Sequence, residues 1–175
     1  MAGVRYLLGR TELTGSAASV TFSNIPQTGY TDLRLVISVR DDQGSSSGQD
    51  IYIQFNGDTG ANYSFKRIYG TGSAAASDGA TSAATAGRAG RTTGTTATAS
   101  TFASNDIYIP NYTSSNQKSI SIDGVEENNA TASIMVLNAA LWTGTAAISS
   151  LKIAPLAATN FVQYSTFSLY GIKAS

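Results

Sequence analysis

Apolar and polar residues alternate with a period of two in a series of short stretches along this chain, the pattern of half-buried β-strands. Leu33, Leu35, Ile37 and Val39 share one side, against Asp32, Arg34, Val36 and Ser38 on the other. Ile51, Ile53 and Phe55 do the same against Tyr52 and Gln54. Asn56-Gly57-Asp58 then reverses the chain, because these residues accept positive φ cheaply. A second strand returns over 63–69, and the length between the two predicts a wide loop instead of a tight two-residue turn. Further strands are predicted over 4–8, 19–22, 102–109, 118–123, 131–142, 148–153 and 166–172. Ile25-Pro26 forces an extended turn, Pro110 closes the strand before it, and 124–131 reads as a turn-rich connection. Residues 131–142 are two-sided: Ile134, Val136 and Trp142 face one way, Met135, Leu137 and Leu141 the other. Such a strand is central in its sheet or covered on both faces.

Helical periodicity is absent, and nine or ten short strands at near-regular spacing predict an all-β fold. Of sandwich and barrel, an antiparallel β-sandwich of the jelly-roll kind suits the chain better, because one long segment fits a sandwich crossover. That segment is 73–100, where composition falls to Ala, Gly, Ser and Thr with Asp78, Arg88 and Arg91 as the only charges. It holds no aromatic or large aliphatic residue with which to offset its ordering entropy. The expectation is one domain over 1–175, with 73–100 as an extended low-complexity arm that a neighbouring subunit orders.

Composition narrows the function. Charged residues are 13% of the chain, and eleven basic side chains balance eleven acidic ones, so no electrostatic footprint for nucleic acid exists. A weakly charged surface near zero net charge favours association. The chain has no Cys and no His, which removes disulfides, thiolate metal sites and the commonest general base together. Neither a secretory signal nor a run of about 18 apolar residues is present, so synthesis in the cytoplasm without membrane insertion is expected.

The segments IPQTGYTDLRL (25–35), FNGDTGANYS (55–64), IYIPNYTSSNQKSISIDGVEENNAT (107–131) and NFVQYSTFSLYGI (160–172) resemble a group of virion structural proteins of tailed bacteriophages of the marine and cyanophage type. The resemblance covers most of the chain outside 73–100. It implies a non-enzymatic virion structural component. With the low charge, the Tyr-bearing strands and the 73–100 arm, the expectation is a decoration (cement) protein on the capsid surface that bridges capsomers, with the major capsid protein and copies of itself as partners, the latter as a homotrimer. The alternative is a tail-fibre or tail-tip module binding a host-surface glycan. The resemblance implies no cofactor and no catalytic residue.

Several residues invite a chemical role, and each has a plainer one to set against it. Asp41, Asp42, Asp50 and Asp58, or Asp123, Glu126 and Glu127, offer oxygen ligands for calcium, but Asp and Asn in Gly-rich turns are ordinarily turn formers. Glu126 and Glu127 as a glycosidase pair would lie solvated in a polar connection. Tyr52, Tyr63, Tyr69, Tyr108, Tyr112 and Trp142 could stack on sugars, yet strand aromatics more often serve core or interface. Tyr52 and Tyr108 point away from the Ile-bearing faces of their strands and are expected at an interface on a shared outer face. Arg88 and Arg91 are expected to meet carboxylates of a partner, against the plainer reading of an isolated solvated pair.

Overall fold

Twelve β-strands and no helix make up the described residues (4–129, 133–157 and 159–173) of a computed structural model. One sheet has eight strands in the spatial order β1 (Val4–Glu12), β12 (Thr166–Lys173), β3 (Asp32–Val39), β8 (Ala103–Ile109), β9 (Lys118–Glu126), β10 (Ile134–Trp142), β5 (Tyr63–Gly70) and β6 (Ala75–Ala84). The other has four: β2 (Val20–Phe22), β11 (Leu151–Pro155), β4 (Asp50–Phe55) and β7 (Gly87–Arg91). Neighbouring strands run antiparallel throughout. This is the expected all-β antiparallel sandwich. Its twelve strands divide unequally between the sheets, against the eight strands of a double-Greek-key jelly roll.

The alternating pattern fixes the register. Leu33 pairs with Ile109, Leu35 with Ile107 and with Leu169, and Ile37 with Phe167, so one face of three strands is apolar. Ile51, Ile53 and Phe55 meet that face from β4, and all of these side chains are buried. A one-residue slip would turn each set to the outside, so the pairing is strongly specified. β12, late in the chain, lies between β1 and β3.

The segment expected to be an unpaired arm is the main departure. It contributes β6 to the edge of the large sheet and β7 to the edge of the small one. Composition misleads because the ordering comes from outside the segment. β5 supplies a ladder for β6 from Gly70 opposite Ala75 to Tyr63 opposite Ala84. Arg67 of β5 then grips Asp78 with Nε 2.6 Å from Oδ1 and Nη2 2.7 Å from Oδ2. Small residues also let β7 approach the large sheet: a Cβ on Gly87 would lie 3.5 Å from Ala140 Cβ and 3.7 Å from Tyr63 Cδ1.

β9 also runs past its predicted end, through Gly124 to Glu126. Gly124 here marks a close approach and not a turn, since a Cβ would stand 2.5 Å from Asn105 Oδ1. Residues 130–132, in the predicted connection and strand start, lie outside the described residues.

The wide loop after β4 is closed by Asp58. Its carboxylate accepts from Trp142 Nε1 at 2.7 Å, from the Gly60 amide at 2.8 Å and from Asn62 Nδ2 at 2.9 Å. Beneath it Tyr63 is buried, its hydroxyl accepting from the Phe55 amide at 3.0 Å and donating to the Asp58 carbonyl at 3.2 Å, and burial pushes its phenol up to about 12. The Trp142 indole holds the Asp58 carboxyl below the ordinary carboxylate range. Asp58 therefore contributes stability that is present above the ordinary carboxylate pKa and lost as pH falls through its lowered folded value. Asp58→Ala leaves a buried indole N–H unpaired and is expected to cost about 1–3 kcal/mol, read from urea midpoints. Asp58→Asn should flatten the acid limb of the stability profile, and an unchanged limb would refute the assignment.

Candidate functional site

Opposite the core, the large sheet presents an outer face. On β10 the inward positions are Val136, Asn138, Ala140 and Trp142, so Met135, Leu137 and Ala139 point out. Leu137 stands between Ile68 of β5 and Asp123 of β9, and Ala139 between Lys66 and Ser121. Met135 is 64% exposed, Ile68 61% and Leu137 53%, with Val125 at their border. Three large apolar side chains more than half exposed, in contact range on neighbouring strands, form an apolar patch towards the β6 side of an open sheet. A shallow groove of about 920 Å³ crosses Lys66, Ile68, Tyr108, Ser121 and Leu137, and another of about 710 Å³ continues over Ala75 and Met135. The edge of the face stays flat because the Lys66 stem lies over Gly79, where a Cβ would meet its Cδ at 2.8 Å.

The charges beside the patch divide into satisfied and free. Asp106 and Asp123 stand directly opposite each other in the β8–β9 ladder, a destabilising arrangement for like charges. Asp106 is matched by Arg34, whose Nε donates to both its oxygens at 2.7 and 2.9 Å and whose Nη2 donates as well. That fork raises the Arg34 pKa. Asp123 has no such partner: among the described residues neither it nor Lys66 forms an ion pair, and both are exposed.

The residues singled out from sequence fall in three places. Tyr108 is on this outer face, between Arg34 and Ser121 in the ladders. Tyr52 is on β4, paired with Ala154 and Arg88 in the small sheet. The two tyrosines therefore lie on different sheets and do not share a face, so they form no common stacking platform. Tyr63, Tyr112 and Trp142 are core.

Arg88 and Arg91, expected to seek carboxylates of a partner, find them within their own domain. Asp50 receives Arg67 Nη1 at 2.6 Å, Arg91 Nη1 at 3.2 Å and Arg88 Nε at 3.4 Å. Arg91 also places Nε 2.8 Å from Glu126 Oε2 and donates to the Gly48 carbonyl. The Arg88 guanidinium stacks 5.1 Å from the Phe65 ring centroid. Glu126, expected to be solvated, is fully buried, and burial raises its pKa against the opposing pull of Arg91. Glu127 is its exposed neighbour on the other face of the strand end, accepting from the Asn129 amide at 2.7 Å. The remaining carboxylates do not converge either. Asp41 accepts from Thr92 and Asp42 from Asn160, and among the described residues no group of three acidic side chains is placed to hold a metal ion.

Sequence alone does not single out Ile68 or Lys66. Met135 and Leu137 do carry a signal, the two-sided pattern of β10. β10 is central, but its outer side is covered by none of the described residues.

No family model matches the chain, and no curated protein matches it. A solved structure, the CBM2 module of Lactobacillus casei BL23 phage J-1 evolved Dit, aligns with 90% of this chain and 69% of its own, at 11% identity and a TM-score of 0.22. A likeness that slight carries no argument about fold or role.

Proposed function

We propose that this chain is a non-enzymatic structural protein of a tailed-phage virion, a capsid decoration protein that works by surface contact, and that the outer face of the large sheet is covered in the assembled particle. The observation that carries the reading is the exposed apolar patch of Ile68, Met135 and Leu137 on that face. Exposed apolar residues scattered singly need no explanation, but a contiguous patch marks an interaction site. Burying the exposed half of such side chains contributes about 1–2 kcal/mol each, enough to add to the cohesion of a shell. The sequence resemblance to virion structural proteins supports the same reading. Glycan recognition ordinarily uses adjacent exposed aromatic rings, and here Tyr52 is on the other sheet and Arg34 stands between Tyr108 and Tyr170.

Leu137→Asp tests this. The side chain makes no core contact, so the free protein should stay folded, its melting point lowered only modestly by the new carboxylate opposite Asp123, while binding to undecorated heads should weaken about tenfold or more. Undiminished occupancy and heat resistance of the particles would overturn the reading. Loss of host-surface binding in Tyr108→Ala, with decoration intact in Leu137→Asp, would establish the tail-module alternative instead.

A further inference from the structure

The patch is flanked by two charges that form no ion pair among the described residues, and their placement says what covers it. Lys66 lies beside Ala139 on the β5 side of β10, and Asp123 lies beside Leu137 on the β9 side. They therefore sit diagonally across β10, one on each side of the Leu137–Ala139 pair, with opposite signs. We infer that the occupant is a second copy of this chain, paired face to face through β5, β9 and β10 with reciprocal Lys66–Asp123 ion pairs around an apolar centre of Leu137 and Ile68. This rests on the reading of that face as the covered one, and it replaces the homotrimer expected from sequence with a two-fold pair.

Symmetry makes the arrangement specific. In an isologous contact, residue i of one copy meets residue j of the other, and j meets i. A two-fold axis lying in the face and crossing β10 diagonally between Leu137 and Ala139 carries Lys66 of one copy over Asp123 of the other. The same operation carries Asp123 over Lys66. Leu137 and Ile68, close to that axis, are brought together across it. Neither charge has to leave a competing partner, whereas Asp106 is already occupied by Arg34. The Asp106–Asp123 opposition within one chain is also relieved when a cation arrives over Asp123. A flat rim at Gly79 and small residues at Ala139 and Ser121 leave room for the approach. A foreign partner would need a basic and an acidic group at matching positions, which a second copy supplies by construction.

The test is a charge swap read by sedimentation of the purified full chain, with head decoration measured in parallel. Wild type should form dimers. Lys66→Glu places two carboxylates together at both ends of the contact, and Asp123→Lys two ammonium groups, so each alone should dimerise at least about tenfold more weakly. Mixed one to one, the two variants should associate again. The new carboxylate of one chain would then meet the new ammonium of the other at one end, and native Lys66 would meet native Asp123 at the other end. The double variant should also dimerise by itself. A wild type that sediments as a monomer, or single variants that dimerise as tightly as wild type, would overturn the inference. So would a mixture that stays monomeric while the double variant is folded. If these outcomes come with loss of decoration in Leu137→Asp, the face is the working surface and only its occupant is misassigned. If Leu137→Asp decorates normally, the reading of the face fails as well.

Discussion

Deleting residues 73–100 is expected to abolish the cooperative thermal transition. The deletion removes β6, β7 and the residues that follow them. Glu126, fully buried, loses Arg91, and Asp50 loses two of its three arginines. Asp41, also fully buried, loses the Thr92 hydroxyl that donates to it at 2.7 Å. Breaking one buried ion pair by removing a partner typically costs about 3–5 kcal/mol, and a whole domain is stable by only about 5–15 kcal/mol. The inner faces of Ile53, Tyr63 and Ala140 would be uncovered where Gly87 now packs. Calorimetry with near-ultraviolet circular dichroism gives the answer. A sharp transition near the wild-type temperature would show that the segment is dispensable to the core.

Asp50→Ala should destabilise the protein by about 3–5 kcal/mol, the magnitude for a buried pair broken from one side. The three arginines do not suffer equally. Arg67 keeps Asp78 and Arg91 keeps Glu126, but among the described residues Arg88 keeps no ion pair and retains the Phe65 ring and the more distant charge of Asp78. Most of the loss should therefore sit in the Asp50–Arg88 coupling and in the desolvated charge of Arg88. Arg88→Met in the Asp50→Ala background should recover part of the lost stability, although Arg88→Met alone destabilises. A double-mutant cycle on urea denaturation isolates the pair. Strictly additive losses would mean that Asp50 acts through Arg67 and Arg91 alone.

The strands legible in the sequence are those whose stability is written in their own side chains. Leu33 to Val39 alternates because each inward residue is buried and the outward ones border solvent. β6 is illegible for the opposite reason. AASDGATSAA has no apolar face, and its place is set by the backbone ladder of β5 and by the Arg67 fork on Asp78. Glycine is ambiguous in the same way. Gly57 is a turn glycine with φ of 69°, whereas Gly124 is a strand residue under Asn105, and nothing local distinguishes them. The site is half legible. Met135 and Leu137 stand out through the two-sided pattern of β10, but Ile68 and Lys66 join them only through the β5–β10 register, a long-range pairing. Arg88 and Arg91 signal a need for carboxylates in any reading, and only the tertiary fold places Asp50 and Glu126 within reach.

The position of β12 governs the timing of folding. β1 and β3 face each other across a gap that only residues 166–173 fill, with Val4 opposite Lys173 and Leu35 opposite Leu169. A nascent chain on the ribosome holds both strands early and cannot join them until β12 has emerged. Pairings of such long sequence separation carry loop-closure entropy in advance of any contact, and they fold slowly. Until then β1 has no partner and one side of β3 is an open edge, a template for intermolecular pairing at high expression. Newly made chains are thus most exposed to misassembly in the interval before β12 is inserted.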